Sequence, residues 1–174
     1  MPKRLASKLL LNSRTFDVRR DTILLENNQT IERDIIAHFP VAVVLPFQSP
    51  DQFYLVKQYR APIDSFLLEA PAGMSEPEEN PLEGAKRELS EETGFTAKEW
   101  IALSSAYSAP GFTDELLHFF IAKDLTQGPT HPDEDEFIEL RSFSISQIDE
   151  LIYSQKIRDI KTLLCLFYLK KFAG

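Results

Sequence analysis

The stretch GMSEPEENPLEGAKRELSEETGF, residues 73–95, brings three carboxylates, Glu88, Glu91 and Glu92, onto neighbouring turns of what reads as one helix. Asn80 suits an N-cap, Pro81 the first helical position, Glu83 the N3 position and Gly94 the C′ position, so the spacing predicts a helix over 81–93. At about 100° per residue, Leu82, Ala85 and Leu89 form an apolar stripe, and the three glutamates share an adjoining face about 100° wide. Like charges at that spacing oppose the helix by about 0.2–0.5 kcal/mol per pair when exposed, and by more when partly buried. Gly84 on the same face costs roughly 1 kcal/mol relative to alanine. A solvated acidic face, offset by Lys86 and Arg87, is the plain reading. The Pro-Ala-Gly turn before the helix and the glycine after it favour another, a site for a hard cation. Mg²⁺ or Mn²⁺ takes carboxylate, carbonyl and water oxygens, and would turn the repulsion into binding.

The elements that hold this segment follow from the rest of the pattern. VAVVLPF at 41–47 reads as a buried strand, FYLVKQYR at 53–60 as a second and FLLEAPAG at 66–73 as a third. After the carboxylate helix come strand-like stretches at 101–107, 116–125 and 137–144. Ser146 with Asp149 resembles a capping box for a helix at 147–154, and a further amphipathic helix is expected over about 158–172. Before residue 39 the chain is polar, with short alternating pieces at 14–18, 22–26 and 30–37 split by Arg-Asp and Asn-Asn turn signals. These predict a small β-meander arm over 1–39 and a main α/β domain over 40–174, a sandwich with a mixed sheet. The arm's apolar faces are thin, so it should pack on the main domain or on a second subunit, and a homodimer is expected.

At 174 residues the chain can bury a core of its own. A net charge of −8 argues against nucleic-acid or anionic-membrane partners. An anionic substrate would need a bridging cation. Lys8 interrupts the leucines near the N-terminus, leaving an apolar run too short for a signal-peptide core. No run approaches the roughly 20 apolar residues of a membrane span. The single Cys165, in an apolar stretch, reads as a buried structural thiol. A cytoplasmic location is expected.

Gly73, five residues, Glu79, seven residues, then Arg87-Glu88-Leu89-Ser90-Glu91-Glu92-Thr93-Gly94-Phe95 resembles the complete Nudix box, GX5EX7REUXEEXGU, with all nine defined positions filled. The resemblance implies an α/β/α Nudix fold and hydrolysis of a nucleoside diphosphate linked to another moiety. It implies that Glu88 and Glu92 are metal ligands, that Glu91 is a further ligand or a base, and that the Ala72 carbonyl could also hold metal. It makes Glu79 and Arg87 a bracing salt bridge, with Gly73 and Gly94 framing the motif.

Pro110 lies sixteen positions after Gly94, inside SAPGFTDE, and is similar to the marker of the ADP-ribose pyrophosphatase subgroup. VKQYR ending in Arg60, LLEAPAG with Glu69, and the N-terminal arm agree with it. Within that resemblance Arg33 and Arg60 stand where arginines hold phosphate and ribose, Glu115 is a substrate-contact candidate, and Phe16 is the nearest arm aromatic to stack on adenine. In the acidic loop HPDEDEFIEL, Glu134 aligns best with a loop glutamate that orients or deprotonates water, with Glu136 as runner-up. His38, His118 and His131 show no metal-ligand or triad spacing and read as structural or exposed. The expectation is Mg²⁺- or Mn²⁺-dependent hydrolysis of a nucleoside diphosphate sugar, foremost ADP-ribose to AMP and ribose 5-phosphate. A broader sugar-nucleotide hydrolase acting also on GDP-mannose, and a non-catalytic ADP-ribose sensor, are the alternatives.

Overall fold

The computed structural model describes residues 1–48, 50–130 and 138–173, the side chains of 172 and 173 excepted. The N-terminal part is a separate antiparallel sheet of β1 (Lys3–Asn12), β2 (Asp17–Leu24) and β3 (Thr30–Ala37), in that order. Its first strand is the stretch KRLASKLLLN, upstream of where the alternation pattern placed it. The Arg20-Asp21 pair does not turn the chain but lies within β2. Asp21 can stay extended and 2% exposed because Ser7 Oγ donates to its carboxylate at 2.6 Å and Arg4 and Arg19 flank it. The expected Asn-Asn turn is present, with Asn28 at φ 64° and Leu25 N–H donating to the Gln29 carbonyl at 2.8 Å.

The main sheet comprises β4 (Val41–Gln48), β5 (Gln52–Arg60), β6 (Ser65–Glu69), β7 (Ala72–Met74), β8 (Phe95–Tyr107), β9 (Leu116–Gln127) and β10 (Ile138–Ser144). Its path runs β10-β5-β4-β9-β8, with β6 on β5 and β7 on β4; β4 and β9 are parallel and the other pairs antiparallel. The strand read within 66–73 ends at Glu69, and Ala72 and Gly73 of the expected Pro-Ala-Gly turn instead open the strand β7. The chain changes neighbour at Pro71, which has no N–H for a ladder, while its carbonyl accepts from Val44 N–H at 2.8 Å. Strand β8 begins directly after Gly94, earlier than its apolar run suggests, because Phe95 is buried and Trp100 packs edge-on against Phe120.

Helices cover both faces of this sheet, and β4 shows why its sequence is apolar throughout. Val43 and Leu45 face a core shared with α2 (Ile148–Tyr153) and α3 (Ile160–Ala173), through Ile148, Leu151, Leu166 and Leu169. Ala42 and Val44 face the opposite core, with Ala85 and Leu89 of α1 (Pro81–Thr93). Side chains alternate across a strand, so a strand covered on both sides shows no polar face. Leu89 is fully buried, and Leu89→Ala would cost about 2–5 kcal/mol. The result is the expected α/β/α sandwich with a mixed sheet and an N-terminal arm.

The capping box before α2 is formed by Ser144 and Gln147, not Ser146 and Asp149. A turn of 3₁₀ helix, Ile145–Gln147, opens the segment, and Gln147 Oε1 accepts from Ser144 N–H at 2.8 Å. Ser144 is the last residue of β10, so the strand end supplies the cap. Helix α3 starts at Ile160 and is less one-sided than expected, since Phe167 is 53% exposed while Leu166 and Leu169 are buried. Cys165 is buried in it, and that burial pushes its thiol well above the usual range, leaving no thiolate for chemistry.

Candidate active site

Helix α1 is anchored at both ends by local chemistry. Asn80 Oδ1 accepts from Leu82 N–H at 2.9 Å, and Gly94 ends the helix at φ 72° with its N–H on the Ser90 carbonyl at 2.9 Å. With Leu89 and Ala85 seated on the sheet, Glu88 and Glu92, about 40° apart around the axis, lie at the buried edge, 8% and 7% exposed. Glu91 lies about 60° to the other side of Glu88. Its side chain is 41% exposed, so the three carboxylates share a rim without being equally buried.

Strand β7 fixes the other wall. A Cβ built on Gly73 would fall 2.0–2.2 Å from the Glu88 carboxylate, so that carboxylate rests directly on backbone where no other residue fits. Ala72 lines the same cleft. Arg87 joins the loop to the helix: its guanidinium donates to both Glu79 oxygens at 3.2 Å and to the Met74 carbonyl at 2.9 Å. Its Nη1 lies 2.6 Å from Glu88 Oε1 and 3.0 Å from Glu91 Oε2. The Glu79 hydrogen bond, foremost, raises the Arg87 pKa, and Arg87 in turn holds the Glu79 carboxyl below its usual value.

These residues border an open cleft of about 700 Å³. Across it stand Arg60 and Lys161. Arg60 forms a fork on the buried Glu69, with Nε and Nη2 at 2.7 and 2.6 Å from its two oxygens, and this bond raises the Arg60 pKa. Lys161 Nζ lies 3.3 Å from Glu69 and 2.7 Å from Asp159. Asp159 caps α3, accepting from Thr162 N–H at 2.9 Å and Thr162 Oγ1 at 2.7 Å. Burial pushes the Asp159 carboxyl up, but the Lys161 charge and these hydrogen bonds outweigh it and hold the group below its ordinary value. Burial alone would lower Lys161; Asp159 and Glu69 reverse that and raise it.

Glu115 closes another side, with His38 Nδ1 3.6 Å from its Oε1. A smaller hollow of about 370 Å³, bordered by Phe16 and Phe39, shares Thr15 and His38 with the main cleft. Arg33 is placed differently from Arg60: exposed on β3, it donates to the Glu32 carbonyl at 2.9 Å and is absent from the cleft lining. Glu134, Glu136 and His131 lie outside the described residues. His118 is away from the cleft, bonded to Ser105 at 2.8 Å, and burial lowers its pKa.

The sequence did not single out Asp159, Lys161 or Thr15, and His38, which reads there as structural or exposed, lines the cleft. The pattern Asp-x-x-Thr ahead of an apolar run marked Asp159 as a cap, which places Lys161 in the first turn. Nothing local indicated that this turn faces the carboxylate helix.

Among the described residues, no three His, Cys, Asp or Glu side chains are gathered closely enough to grip a cation as they stand. Arg87 Nη1 is drawn between Glu88 and Glu91 instead. The donor chemistry still suits a hard divalent cation: glutamate oxygens are the ligands present, and the Gly73 cradle sets the Glu88 carboxylate beside β7 backbone. Six carboxylates and three basic side chains border the cleft among the described residues, so a diphosphate would meet net repulsion without such an ion.

The NUDIX domain family matches residues 37–163, and the chain belongs to the Nudix family; it is a Nudix hydrolase. Over 170 residues it is 33% identical to an ADP-ribose pyrophosphatase of Bacillus subtilis, covering 97% of this chain and 92% of the relative. It is 32% identical to the methanol dehydrogenase activator of Bacillus methanolicus over the same shares. A GDP-mannose pyrophosphatase of Yersinia enterocolitica is 30% identical, with 91% of this chain and 90% of that one covered. The crystal structure of an ADP compounds hydrolase superposes with a TM-score of 0.87 over 98% of this chain and 93% of the other, at 22% identity, and so shares the fold.

Proposed function

We propose that this hydrolase cleaves the diphosphate bond of nucleoside diphosphate sugars, with ADP-ribose and water giving AMP and ribose 5-phosphate. The observation that carries the reading is the cleft's charge layout: Glu88, resting on Gly73, and the buried Glu92 border the same cleft as the basic Arg60 and Lys161. Relatives bearing the names ADP-ribose pyrophosphatase and GDP-mannose pyrophosphatase support the substrate class.

Glu88, Glu92, Glu91 and the Ala72 carbonyl would hold Mg²⁺ or Mn²⁺. Such an ion, when bound, neutralises the diphosphate and stabilises charge developing on its oxygens. Arg60 has two N–H donors committed to Glu69, which sets its plane, and turns its remaining donors to phosphate or ribose. Lys161, held by Asp159 and Glu69, adds a second cation on that side. A water oxygen attacks one phosphorus in line as the bridging P–O bond breaks. Glu134, Glu136 or Glu91 takes the water proton, and the leaving phosphate carries away the bond electrons. Phe16 and Phe39 offer apolar faces to the base, and Glu115 is suited to a sugar hydroxyl.

We further propose a cytoplasmic homodimer. Leu5, Leu9 and Leu11 of β1 are each more than half exposed, the kind of surface a second copy covers, and across such an interface Arg33 could reach the partner's cleft.

A panel of sugar nucleotides and dinucleotides with Mg²⁺ or Mn²⁺, products identified, tests this. ADP-ribose should give the highest kcat/KM, and Glu88→Gln and Glu92→Gln should each lower kcat at least about a thousandfold with the fold intact. Comparable kcat/KM for GDP-mannose would replace the narrow substrate with the broad class. Tight ADP-ribose binding without hydrolysis would point to a sensor, and near-normal activity of both variants would sink the assignment.

A further inference from the structure

The N-terminal sheet meets the main domain beside the cleft, at the turn following β8. Ile36 N–H donates to the Phe112 carbonyl at 2.8 Å, and the Ile36 carbonyl accepts from Asp114 N–H at 3.3 Å, a parallel bridge between β3 and Thr113. The turn itself is tightly wound. Phe112 and Thr113 N–H both reach the Ala109 carbonyl at 3.1 Å, and Ser108 N–H reaches the Glu115 carbonyl at 3.2 Å.

One side chain completes this junction. Asp114 Oδ1 accepts from the His38 backbone N–H, and Oδ2 accepts from Arg19 Nη2, each at 2.9 Å. Arg19 belongs to β2, and its Nε lies 3.6 Å from Asp21, the buried carboxylate of the arm. The two flanks of the Asp114 contact, His38 and Glu115, both line the cleft. A single carboxylate thus ties the inside of the N-terminal sheet, the link between β3 and β4, and the cleft wall. Its backbone is held by the bridge to Ile36, and its side chain, 43% exposed, accepts from both donors.

The geometry points to Asp114 as the positioning residue that fixes the N-terminal sheet against the cleft and so sets substrate affinity rather than the chemical step. It does not touch the reacting atoms; it acts through His38, Glu115 and the arm hollow between Phe16 and Phe39. This rests on the reading of the cleft as a sugar-nucleotide site. Glu88 and Glu92 are both carried by α1, with Glu88 resting on Gly73 of β7, and the hydrogen bonds of the junction reach neither element, so cation binding is separate from it.

Two measurements on the full-length protein test this. In steady-state hydrolysis of ADP-ribose, Asp114→Ala should raise KM about tenfold or more while kcat changes less than about threefold, as loss of two hydrogen bonds to a charged acceptor predicts. Asp114→Asn, which keeps an acceptor for His38 N–H, should recover part of the KM. Arg19→Gln should raise KM too, and the Arg19→Gln/Asp114→Ala double variant should be little worse than Asp114→Ala alone. A kcat that falls by as large a factor as KM rises, or additive effects of the pair, would overturn the proposal. Hydrogen exchange of the free protein is the second arm: amides at 30–38 should exchange faster in Asp114→Ala, with those of α1 unchanged. Unchanged exchange at 30–38 would also overturn it, and this readout stands even if the wild type hydrolyses no sugar nucleotide, which would defeat the functional reading alone.

Discussion

Arg60 and Glu69 face each other as a fork, with two N–H donors on two carboxylate oxygens at 2.7 and 2.6 Å and Glu69 only 1% exposed. Removing one member of a buried pair strands a charge, at a cost of about 3–5 kcal/mol. The Arg60 side chain is 38% exposed and Lys161 remains 3.3 Å from Glu69, so Arg60→Ala is expected near the lower end of that range. Urea unfolding measures it, and a loss below about 1 kcal/mol would show that Lys161 suffices. Arg60→Lys should keep more stability yet raise KM, because an ammonium cannot make the fork.

Gly73→Ala tests the cradle under Glu88. A Cβ there would lie 2.0–2.2 Å from the carboxylate and must displace it. The variant should keep its circular dichroism spectrum but lose most of its response to Mn²⁺. At a hundred times Kd a bound ion stabilises a protein by about 2.7 kcal/mol. Thermal unfolding with and without Mn²⁺ should show that gain in the wild type and less than half of it in the variant.

The Asp159–Lys161 pair sets a pH window. The Asp159 carboxyl is held below its unfolded value, so its contribution is present above about pH 4 and is lost as pH falls through the folded value. Lys161 is held above its unfolded value, so its contribution is full below about pH 10 and is lost as pH rises through the folded one. Wild type should therefore exceed Asp159→Asn in stability at pH 6, with the gap closing below about pH 4. A gap that stays constant from pH 6 to pH 3, measured by urea unfolding, would contradict the pair's role.

Leu9→Arg probes the exposed strand β1, where Leu9 is 57% exposed. Sedimentation should give a dimer for the wild type and a monomer for the variant, with kcat/KM for ADP-ribose falling about tenfold or more if Arg33 acts across the interface. A wild type that sediments as a monomer at tens of micromolar would remove both the dimer and the role of Arg33.

The carboxylate helix was legible because its signals are local. Asn80 caps a residue two positions away, Gly94 bonds four positions back, and Leu82, Ala85 and Leu89 declare the buried face by period alone. The strands of the main sheet were legible as apolar runs, although Pro71 divides one of them and Phe95 extends another. The arm was less so: its β1 residues are exposed, so neither burial nor alternation marks them, and Asp21 reads as a turn residue until Ser7 is seen beside it.

Of the groups across the cleft, Arg60 and Glu115 were reached only through the family resemblance, and Asp159 and Lys161 not at all. Lys161 reaches Glu69 over 92 positions, and Arg19 reaches Asp114 over 95. Such pairs arise where separate elements happen to end, and a charged residue at a strand or helix end looks the same in sequence whether it meets water or a partner. The motif put Glu88, Glu91 and Glu92 on one rim of α1, since spacing on one helix is set by the helix. The packing of α3, β5 and the N-terminal sheet around that helix, a matter of long-range contacts, told which basic and acidic groups face it.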